Sequence, residues 1–270
     1  MMSDAPIGVF DSGVGGLTVL REMVRQLPKE RFLFFGDTAR APYGEKSPEV
    51  IIEYAREITR FLAQRGVKAV VTACNTESAY ALEEMREETD RPVLGVIKPG
   101  VRAALRTTQN GRIGVLATRA TITSGAYRRR LQKYNSMVEV YPQICTDFVP
   151  HIEAGDTDSP EFYNLIREYL TPVQRADVDT VVLGCTHYPW IRDRIADFFG
   201  ERVRLIDPAL NTALELKDIL ERNGLLREEG EGEYRIVTSG PDEVMRQLAA
   251  KFLTAATFEK ADLQTMGWTE

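Results

Sequence analysis

Short apolar runs alternate with longer amphipathic stretches along this chain, and this alternation limits the fold more than any other feature. Residues 7–10, 31–35, 68–72 and 93–96 form such runs, whereas the stretch 17–27 repeats its apolar side chains with the period of one helix face. Strands that alternate with helices are typical of βαβ units and a mainly parallel sheet. We therefore predict an α/β fold with parallel sheets flanked by helices.

The pattern begins again in the second half of the chain. Ile-Gly-Val-Leu at 113–116 resembles Ile-Gly-Val-Phe at 7–10, and the two runs start 106 residues apart. Two cysteine-containing runs described below lie 111 residues apart. Two similar offsets indicate an internal duplication, which predicts two similar, pseudo-symmetric domains.

Proline and glycine suggest where the two domains meet. Lys98-Pro99-Gly100 interrupts an apolar run, and Asp207-Pro208 follows the second half. The helix, strand and helix predicted after residue 208 are too small to fold alone, so we place them on the first half. The predicted units are a first α/β domain of residues 1–97 plus 208–253, a second α/β domain of residues 98–207, and a C-terminal tail of residues 254–270 without clear periodicity.

Composition excludes several classes of protein. The net charge is −6, and acidic and basic residues are mixed throughout, so no basic stripe is available for nucleic acid. Charged residues make up 27% of the chain, and no apolar run is long enough to span a bilayer. Only three cysteines occur and no secretory signal is evident, which predicts a cytoplasmic protein with reduced thiols.

Two of the cysteines have matching local sequences. Cys74 lies in Val-Val-Thr-Ala-Cys-Asn-Thr, and Cys185 lies in Val-Val-Leu-Gly-Cys-Thr-His. Each sequence is typical of a buried strand that carries a cysteine to its carboxyl end. Ligands of open α/β sheets bind at that edge, so the pair predicts two thiols that approach one small molecule.

Other interpretations of the cysteines remain open at this point. A buried cysteine is often only a small apolar side chain, and we interpret Cys145 in that way. Three separated cysteines with only His151 and His187 lack the spacing of a zinc site, so we expect no metal. No lysine lies in either cysteine motif, which leaves pyridoxal phosphate without an obvious anchor. We expect no cofactor.

Polar loops after the predicted strands also have two interpretations. Asp-Ser-Gly-Val-Gly-Gly at 11–16 lacks the Walker pattern, so a nucleotide is disfavoured and a carboxylate ligand stays open. Asp11 is either a helix N-cap or a residue that faces the ligand. The loop 37–44 and the pairs 75–76 and 186–187 are either ordinary turns and caps or parts of a site. His187, two residues after Cys185, has the chemistry to tune a thiol.

Four motifs together carry a family resemblance. Asp-Ser-Gly-Val-Gly-Gly-Leu, Pro-Tyr-Gly, Ala-Cys-Asn-Thr and Gly-Cys-Thr-His-Tyr-Pro occur in the order and spacing of the cofactor-independent glutamate racemases, which the chain resembles up to about Leu253. The resemblance implies two α/β domains that face each other across a cleft holding the active site. It also implies a homo-oligomer, and we expect a homodimer. The implied biological role is to supply D-glutamate for peptidoglycan synthesis, and thus for cell wall biogenesis and cell shape.

The resemblance assigns roles to particular residues. Cys74 and Cys185 are the implied acid/base catalysts, on opposite faces of the substrate α-carbon. The implied assisting groups are Asp11, His187 and, from a weaker match, Glu153. The implied substrate contacts are Asp11, Ser12, Tyr43, Gly44, Asn75, Thr76, Thr186 and His187. Glu77 departs from the family, which usually has a small residue there. It is either a first-turn acid favoured by the helix dipole or a residue that crowds the cleft.

We therefore expect an amino-acid racemase that interconverts L- and D-glutamate by a two-base proton transfer. Aspartate racemase, or another racemase with a cysteine pair, is the alternative within the superfamily. A non-catalytic small-anion sensor or an inhibitory binding protein is the alternative from another class. Retention of both thiols disfavours the last two.

Overall fold

The computed structural model describes residues 2–253 and 261–265. Within these residues the strands are β1 (Ile7–Asp11), β2 (Arg31–Gly36), β3 (Ala69–Thr72), β4 (Val93–Gly95), β5 (Arg112–Ala117), β6 (Glu139–Ile144), β7 (Thr180–Gly184), β8 (Arg204–Ile206), β9 (Glu233–Thr238) and β10 (Ala261–Thr265). The α-helices are α1 (Leu17–Gln26), α2 (Pro48–Gln64), α3 (Asn75–Tyr80), α4 (Leu82–Glu87), α5 (Ile97–Thr107), α6 (Arg119–Thr123), α7 (Ala126–Tyr134), α8 (Phe148–Ala154), α9 (Pro160–Arg175), α10 (Arg192–Phe199), α11 (Pro208–Arg222) and α12 (Asp242–Phe252).

The strands form two sheets that share one topology. The six-stranded sheet has the order β10-β9-β2-β1-β3-β4, and the four-stranded sheet has the order β6-β5-β7-β8. Every pairing between strands is parallel. The order β2-β1-β3-β4 is therefore repeated as β6-β5-β7-β8, as the sequence offsets predict. The predicted α/β class with two mainly parallel sheets is confirmed.

Helices cover both faces of each sheet, which explains why the central strands are apolar throughout. All residues of β1, β3 and β7 are buried. One face of the six-stranded sheet packs against α1, α11 and α12, and the other packs against α2 and α4. The four-stranded sheet packs against α8, α9 and α10 on one face and against α5 and α7 on the other. This burial fixes the carboxyl ends of the central strands, from which the candidate site is built.

Three long helices begin with the same type of N-cap. α2, α9 and α11 start with proline, and the preceding Ser47, Ser159 or Asp207 side chain accepts a backbone N–H bond in the first turn. Asp207-Pro208, one of the two predicted boundaries, is thus the start of α11.

Residues 98–100, at the other predicted boundary, are helical. They lie in the first turn of α5, where the missing N–H of Pro99 is not needed by the helix. Gly100 is required for close packing, since a Cβ atom on it would lie 3.1 Å from Cγ of Pro208. The division into domains remains a prediction.

The predicted tail is only partly described. Residues 261–265 of this tail form β10, which pairs with β9 in register from Ala261 and Tyr234 to Thr265 and Thr238. Residues 254–260 and 266–270 of the predicted tail lie outside the described residues. None of the helices within 2–253 and 261–265 has the length and apolar character needed to cross a bilayer.

Candidate active site

Cys74 and Cys185 enter one cavity from equivalent strands of the two sheets. Cys185 directly follows β7, and Cys74 follows β3 by two residues as the N-cap of α3. The cavity has a volume of about 450 Å³. From the six-stranded sheet and its loops it is lined by Ser12, Gly13, Thr38, Ala41, Pro42, Tyr43, Gly44, Glu45, Cys74, Asn75 and Thr76. From the four-stranded sheet and its loops it is lined by Thr118, Thr146, Val149, Pro150, Glu153, Gly184, Cys185, Thr186 and His187.

The surroundings of Cys74 favour the neutral thiol. Its Sγ donates to the hydroxyl of Ser12 at 3.7 Å. Burial raises the pKa of the Cys74 thiol well above its usual value, and Glu77 and Asp11 raise it further once they are ionised. The backbone amide of Glu77 and the Ser12 hydroxyl act in the opposite direction, but they do not outweigh burial.

Cys185 lies beside a cation instead. Nδ1 of His187 is 3.9 Å from the Cys185 Sγ, and Nε2 of the same ring is 2.8 Å from Oε1 of Glu153. Burial lowers the pKa of His187, but the hydrogen bonds to Cys185 and Glu153 outweigh burial and raise the pKa to about 10. His187 is therefore an imidazolium at neutral pH, and its positive charge lies next to the Cys185 sulfur.

Asp11 orders the loop after β1 rather than lining the cavity. Its Oδ2 accepts the N–H groups of Gly13 at 3.2 Å and Gly16 at 3.0 Å, and Thr186 donates to Oδ1 at 3.5 Å. Asp11 is fully buried and is absent from the described residues that line the cavity. Burial raises its pKa to about 6, although the positive charge of His187 opposes this rise. In this structure Asp11 therefore supports Thr186, and its proposed contact with substrate stays a prediction.

The loop after β2 carries Tyr43 and Gly44 into the cavity. Asp37 anchors this loop, because it accepts hydrogen bonds from Nε of Arg40 at 2.6 Å, from the hydroxyl of Ser239 at 2.7 Å, and from the Tyr43 hydroxyl. At Gly44 a Cβ atom would lie 2.9 Å from the Thr118 Cβ, so glycine permits the close approach of the two sheets. Tyr43 is buried, which raises its pKa and keeps the phenol neutral.

Asn75 and Thr76 are held by residues of the other sheet's helices. The Asn75 Oδ1 accepts the Tyr127 hydroxyl at 2.7 Å, so its amide group presents N–H donors. The Thr76 hydroxyl lies 3.1 Å from that of Thr118 and 3.0 Å from that of Thr121. These contacts fix Asn75 and Thr76 at the cavity wall, and neutral donors have the chemistry needed to bind carboxylates.

Every predicted site residue lies at the wall of this cavity, with the exception of Asp11. Sequence reasoning missed Thr118 and Thr146, although the duplication offered a signal for both. Thr118 lies 106 residues after Ser12, and Thr146 lies 108 residues after Thr38, at equivalent positions beyond equivalent strands. Cys145 is buried in the apolar core of the four-stranded sheet and is not among the cavity-lining residues described, in agreement with a packing role. Within 2–253 and 261–265, no three His, Cys, Asp or Glu side chains are grouped to hold a metal ion.

Comparisons with known proteins identify similar sequences and structures. The profile of the Asp/Glu/Hydantoin racemase family matches residues 7–215. A glutamate racemase of Geobacter metallireducens is 48% identical over 231 residues, which cover 84% of this chain and 86% of the relative. A crystal structure of a glutamate racemase isoform from Bacillus anthracis superposes with a TM-score of 0.93 at 36% identity, covering 98% of both chains. The glutamate racemase of Francisella tularensis, solved with D-glutamate, has a TM-score of 0.89 at 36% identity and covers 99% of this chain and 98% of its own.

Proposed function

The chain belongs to the Asp/Glu/Hydantoin racemase family, and we propose that it interconverts L- and D-glutamate with Cys74 and Cys185 as the two acid/base catalysts. The observation that carries this proposal is the placement of both thiols in one cavity by equivalent strands of two sheets. The reaction uses no cofactor, and its D-glutamate product supplies peptidoglycan synthesis.

Each thiol acts on one face of the substrate. For L-glutamate the Cys185 thiolate removes the α-proton and becomes a thiol, while the Cys74 thiol delivers its proton to the opposite face and becomes a thiolate. For D-glutamate the roles are exchanged. The surroundings fit the first direction, because the His187 cation lies beside Cys185 and burial favours the neutral thiol at Cys74.

Removal of an α-proton leaves negative charge on the substrate, which the site has to stabilise. A cysteine thiolate is a base of moderate strength, with an unperturbed pKa of about 8.5. Fixed hydrogen-bond donors in a site shielded from water stabilise developing charge better than water does. Asn75, Thr76 and Thr186 supply such donors at the cavity wall.

The similarity to known proteins favours glutamate over aspartate as the substrate. The similar proteins quoted above carry the name glutamate racemase, and one of the similar structures contains D-glutamate. The family name also covers aspartate, so an aspartate racemase is the alternative within the same chemistry. The two substrates differ by one methylene group between their carboxylates.

We further propose that the enzyme works in the cytoplasm as a homodimer, as the family resemblance implies. Leu210 and Leu214, one turn apart on α11, are 38% and 46% exposed and offer apolar surface for a second copy. Analytical ultracentrifugation at several concentrations tests the dimer, and a single species with the monomer mass throughout would contradict it.

The direct test of function is an assay of purified protein with each pure glutamate enantiomer and no added cofactor. We expect loss of optical rotation from both enantiomers, at rates that are unchanged by a metal chelator. Activity that disappears with the chelator and returns with zinc would contradict the proposal, as would the absence of turnover with both enantiomers.

A further inference from the structure

Glu77 is a buried acid directly behind Cys74, and the proposed mechanism does not use it. It occupies the first turn of α3, three residues after Cys74, and its exposed fraction is 0%. It is not among the described residues that line the cavity, so it does not crowd the cleft. A first-turn acid that only complements the helix dipole is normally exposed to solvent, and full burial requires another explanation.

The hydrogen bonds of Glu77 are too few for an ionised carboxylate. Oε2 accepts from the Thr72 hydroxyl at 2.8 Å, and Oε1 has no hydrogen-bond partner within residues 2–253 and 261–265. A buried carboxylate accepts hydrogen bonds at both oxygens and is costly to leave unpaired. The Thr72 hydroxyl also lies 3.5 Å from the backbone oxygen of Cys74.

The charges that face Glu77 act against ionisation. Asp11 and Asp37 are negative, Tyr43 and Cys74 are neutral acids, and Arg40 is the cation that acts on Glu77. The Arg40 guanidinium is bonded to Asp37 and to Glu57 of α2, so its charge is shared among several acids.

Given the proposed two-thiol reaction, we propose that Glu77 is a positioning residue for Cys74, acting as a neutral acid at the end of a hydrogen-bond chain. The Thr72 hydroxyl donates to Oε2 of Glu77 at 2.8 Å and also faces the backbone oxygen of Cys74 at 3.5 Å, so it links the two residues. This hydrogen-bond chain fixes Cys74 at the junction of β3 and α3, and the neutral acid places no negative charge beside the thiol. Burial and the charge of Asp11 raise the pKa of Glu77 well above its usual value, in agreement with this assignment.

Two substitutions separate the hydrogen bond from the charge. Glu77→Gln keeps an oxygen that accepts from the Thr72 hydroxyl and carries no charge, so it reproduces the proposed neutral acid. Glu77→Ala removes this acceptor, and Thr72→Val interrupts the hydrogen-bond chain with a side chain of similar shape. We expect kcat/KM for glutamate to stay within about twofold of the wild type in Glu77→Gln, and to fall about tenfold to a hundredfold in the other two, as expected for a misplaced catalytic group.

The second readout is the alkylation rate of Cys74 by iodoacetamide, followed by peptide mass spectrometry from about pH 6 to about pH 10, a range that brackets the unperturbed thiol pKa of about 8.5. It does not depend on turnover, so it tests Glu77 even if glutamate is not the substrate. We expect the wild type and Glu77→Gln to have the same rate of Cys74 alkylation at neutral pH. In Glu77→Ala and in Thr72→Val we expect the dependence of this rate on pH to change. The double variant with both substitutions should show no larger change than the more damaging single variant, because both substitutions break the same hydrogen-bond chain.

Two results would overturn the proposal. Faster alkylation of Cys74 in Glu77→Gln at neutral pH would show that the wild-type carboxyl is charged. Activity and alkylation in Thr72→Val equal to those of the wild type would show that the chain does not position Cys74. Thermal unfolding of each variant identifies a general loss of folding. If Glu77→Ala fails to fold, Thr72→Val and Glu77→Gln alone decide the outcome.

Discussion

The two thiols meet different charges, and this difference arises from single residues. Cys185 has the His187 ring at 3.9 Å, and that ring is held in turn by Glu153. Cys74 has Ser12 as its hydrogen-bond partner, and burial raises the pKa of its thiol. Two chemically identical side chains therefore have different electrostatic surroundings before substrate binds.

We predict that His187 keeps its proton well above neutral pH and that Glu153 is one cause. Because its folded pKa of about 10 exceeds the usual 6.5, protonation of His187 stabilises the fold fully below about pH 6.5. This stabilisation is lost as the pH rises through about 10. Glu153→Gln should lower the folded pKa and shift the loss to lower pH. Titration of the ring protons by NMR measures the pKa directly.

The chain suits this measurement because it contains only two histidines. His151→Gln assigns the remaining signal to His187 and serves as the control. A wild-type His187 that titrates near 6.5, or a pKa unchanged by Glu153→Gln, would contradict the positive charge assigned to His187.

At the scale of elements, the loop between β1 and α1 is fitted against the residues after β7. A Cβ atom on Gly15 would lie 2.3 Å from the Thr186 Oγ1 and 2.5 Å from the His187 Nδ1. The Thr18 hydroxyl also donates to the Thr186 backbone oxygen at 3.0 Å across the same contact. The two sheets therefore hold each other's site residues in place.

Gly15→Ala should disturb this contact and impair the enzyme. We expect a loss of about 1–3 kcal/mol in the free energy of unfolding, the usual cost of overpacking, and a fall in kcat/KM of at least about tenfold. Gly13→Ala is the matched control for stability, since its Cβ atom would find only the Ala41 Cβ at 3.9 Å. Equal stability and activity in Gly15→Ala and the wild type would show that the loop between β1 and α1 accommodates the added methyl group without disturbing the site.

The elements also show what the sequence could and could not predict. Strands β3 and β7 were predictable because a buried parallel strand is a continuous β-branched run, and the cysteines at their ends followed from that. The helix over residues 98–100 was missed, since proline in a first turn resembles a chain break in sequence. β10 was missed because it has only five residues, too few for an alternation of apolar and polar side chains to be recognised.

Site residues were missed where their position depends on contacts between the sheets. Thr118 and Thr146 reach the cavity only because the two sheets face each other, which local sequence does not specify. The burial of Glu77 was also unpredictable, because a first-turn acid is usually exposed. Asp11 had two interpretations, and only the structure showed its carboxylate accepting N–H bonds from the loop.

At the scale of the whole molecule, a repeated strand order gives the cavity two comparable walls. β2-β1-β3-β4 and β6-β5-β7-β8 each deliver one cysteine from their third strand. A substrate with two carboxylates can therefore be held by both walls while its α-carbon lies between the thiols.

This arrangement predicts that the enzyme discriminates between substrates by the distance between their two carboxylates. Aspartate is one methylene shorter than glutamate and cannot engage both carboxylate sites with its α-carbon in place. We expect its kcat/KM to be at least about tenfold lower, a loss of order 1–3 kcal/mol. Parallel assays on the enantiomers of both amino acids measure the ratio. Equal values of kcat/KM for aspartate and glutamate would favour the aspartate alternative.

The most direct test of the two-thiol account is α-proton exchange in deuterated water, followed by NMR on each pure glutamate enantiomer with Cys74→Ala and Cys185→Ala. Both variants should lose racemisation by several orders of magnitude, because inversion needs a base on one face and an acid on the other. Any remaining exchange should occur without inversion, from D-glutamate in Cys185→Ala and from L-glutamate in Cys74→Ala. Substantial racemisation by either folded variant, or exchange from the opposite enantiomer, would contradict the account.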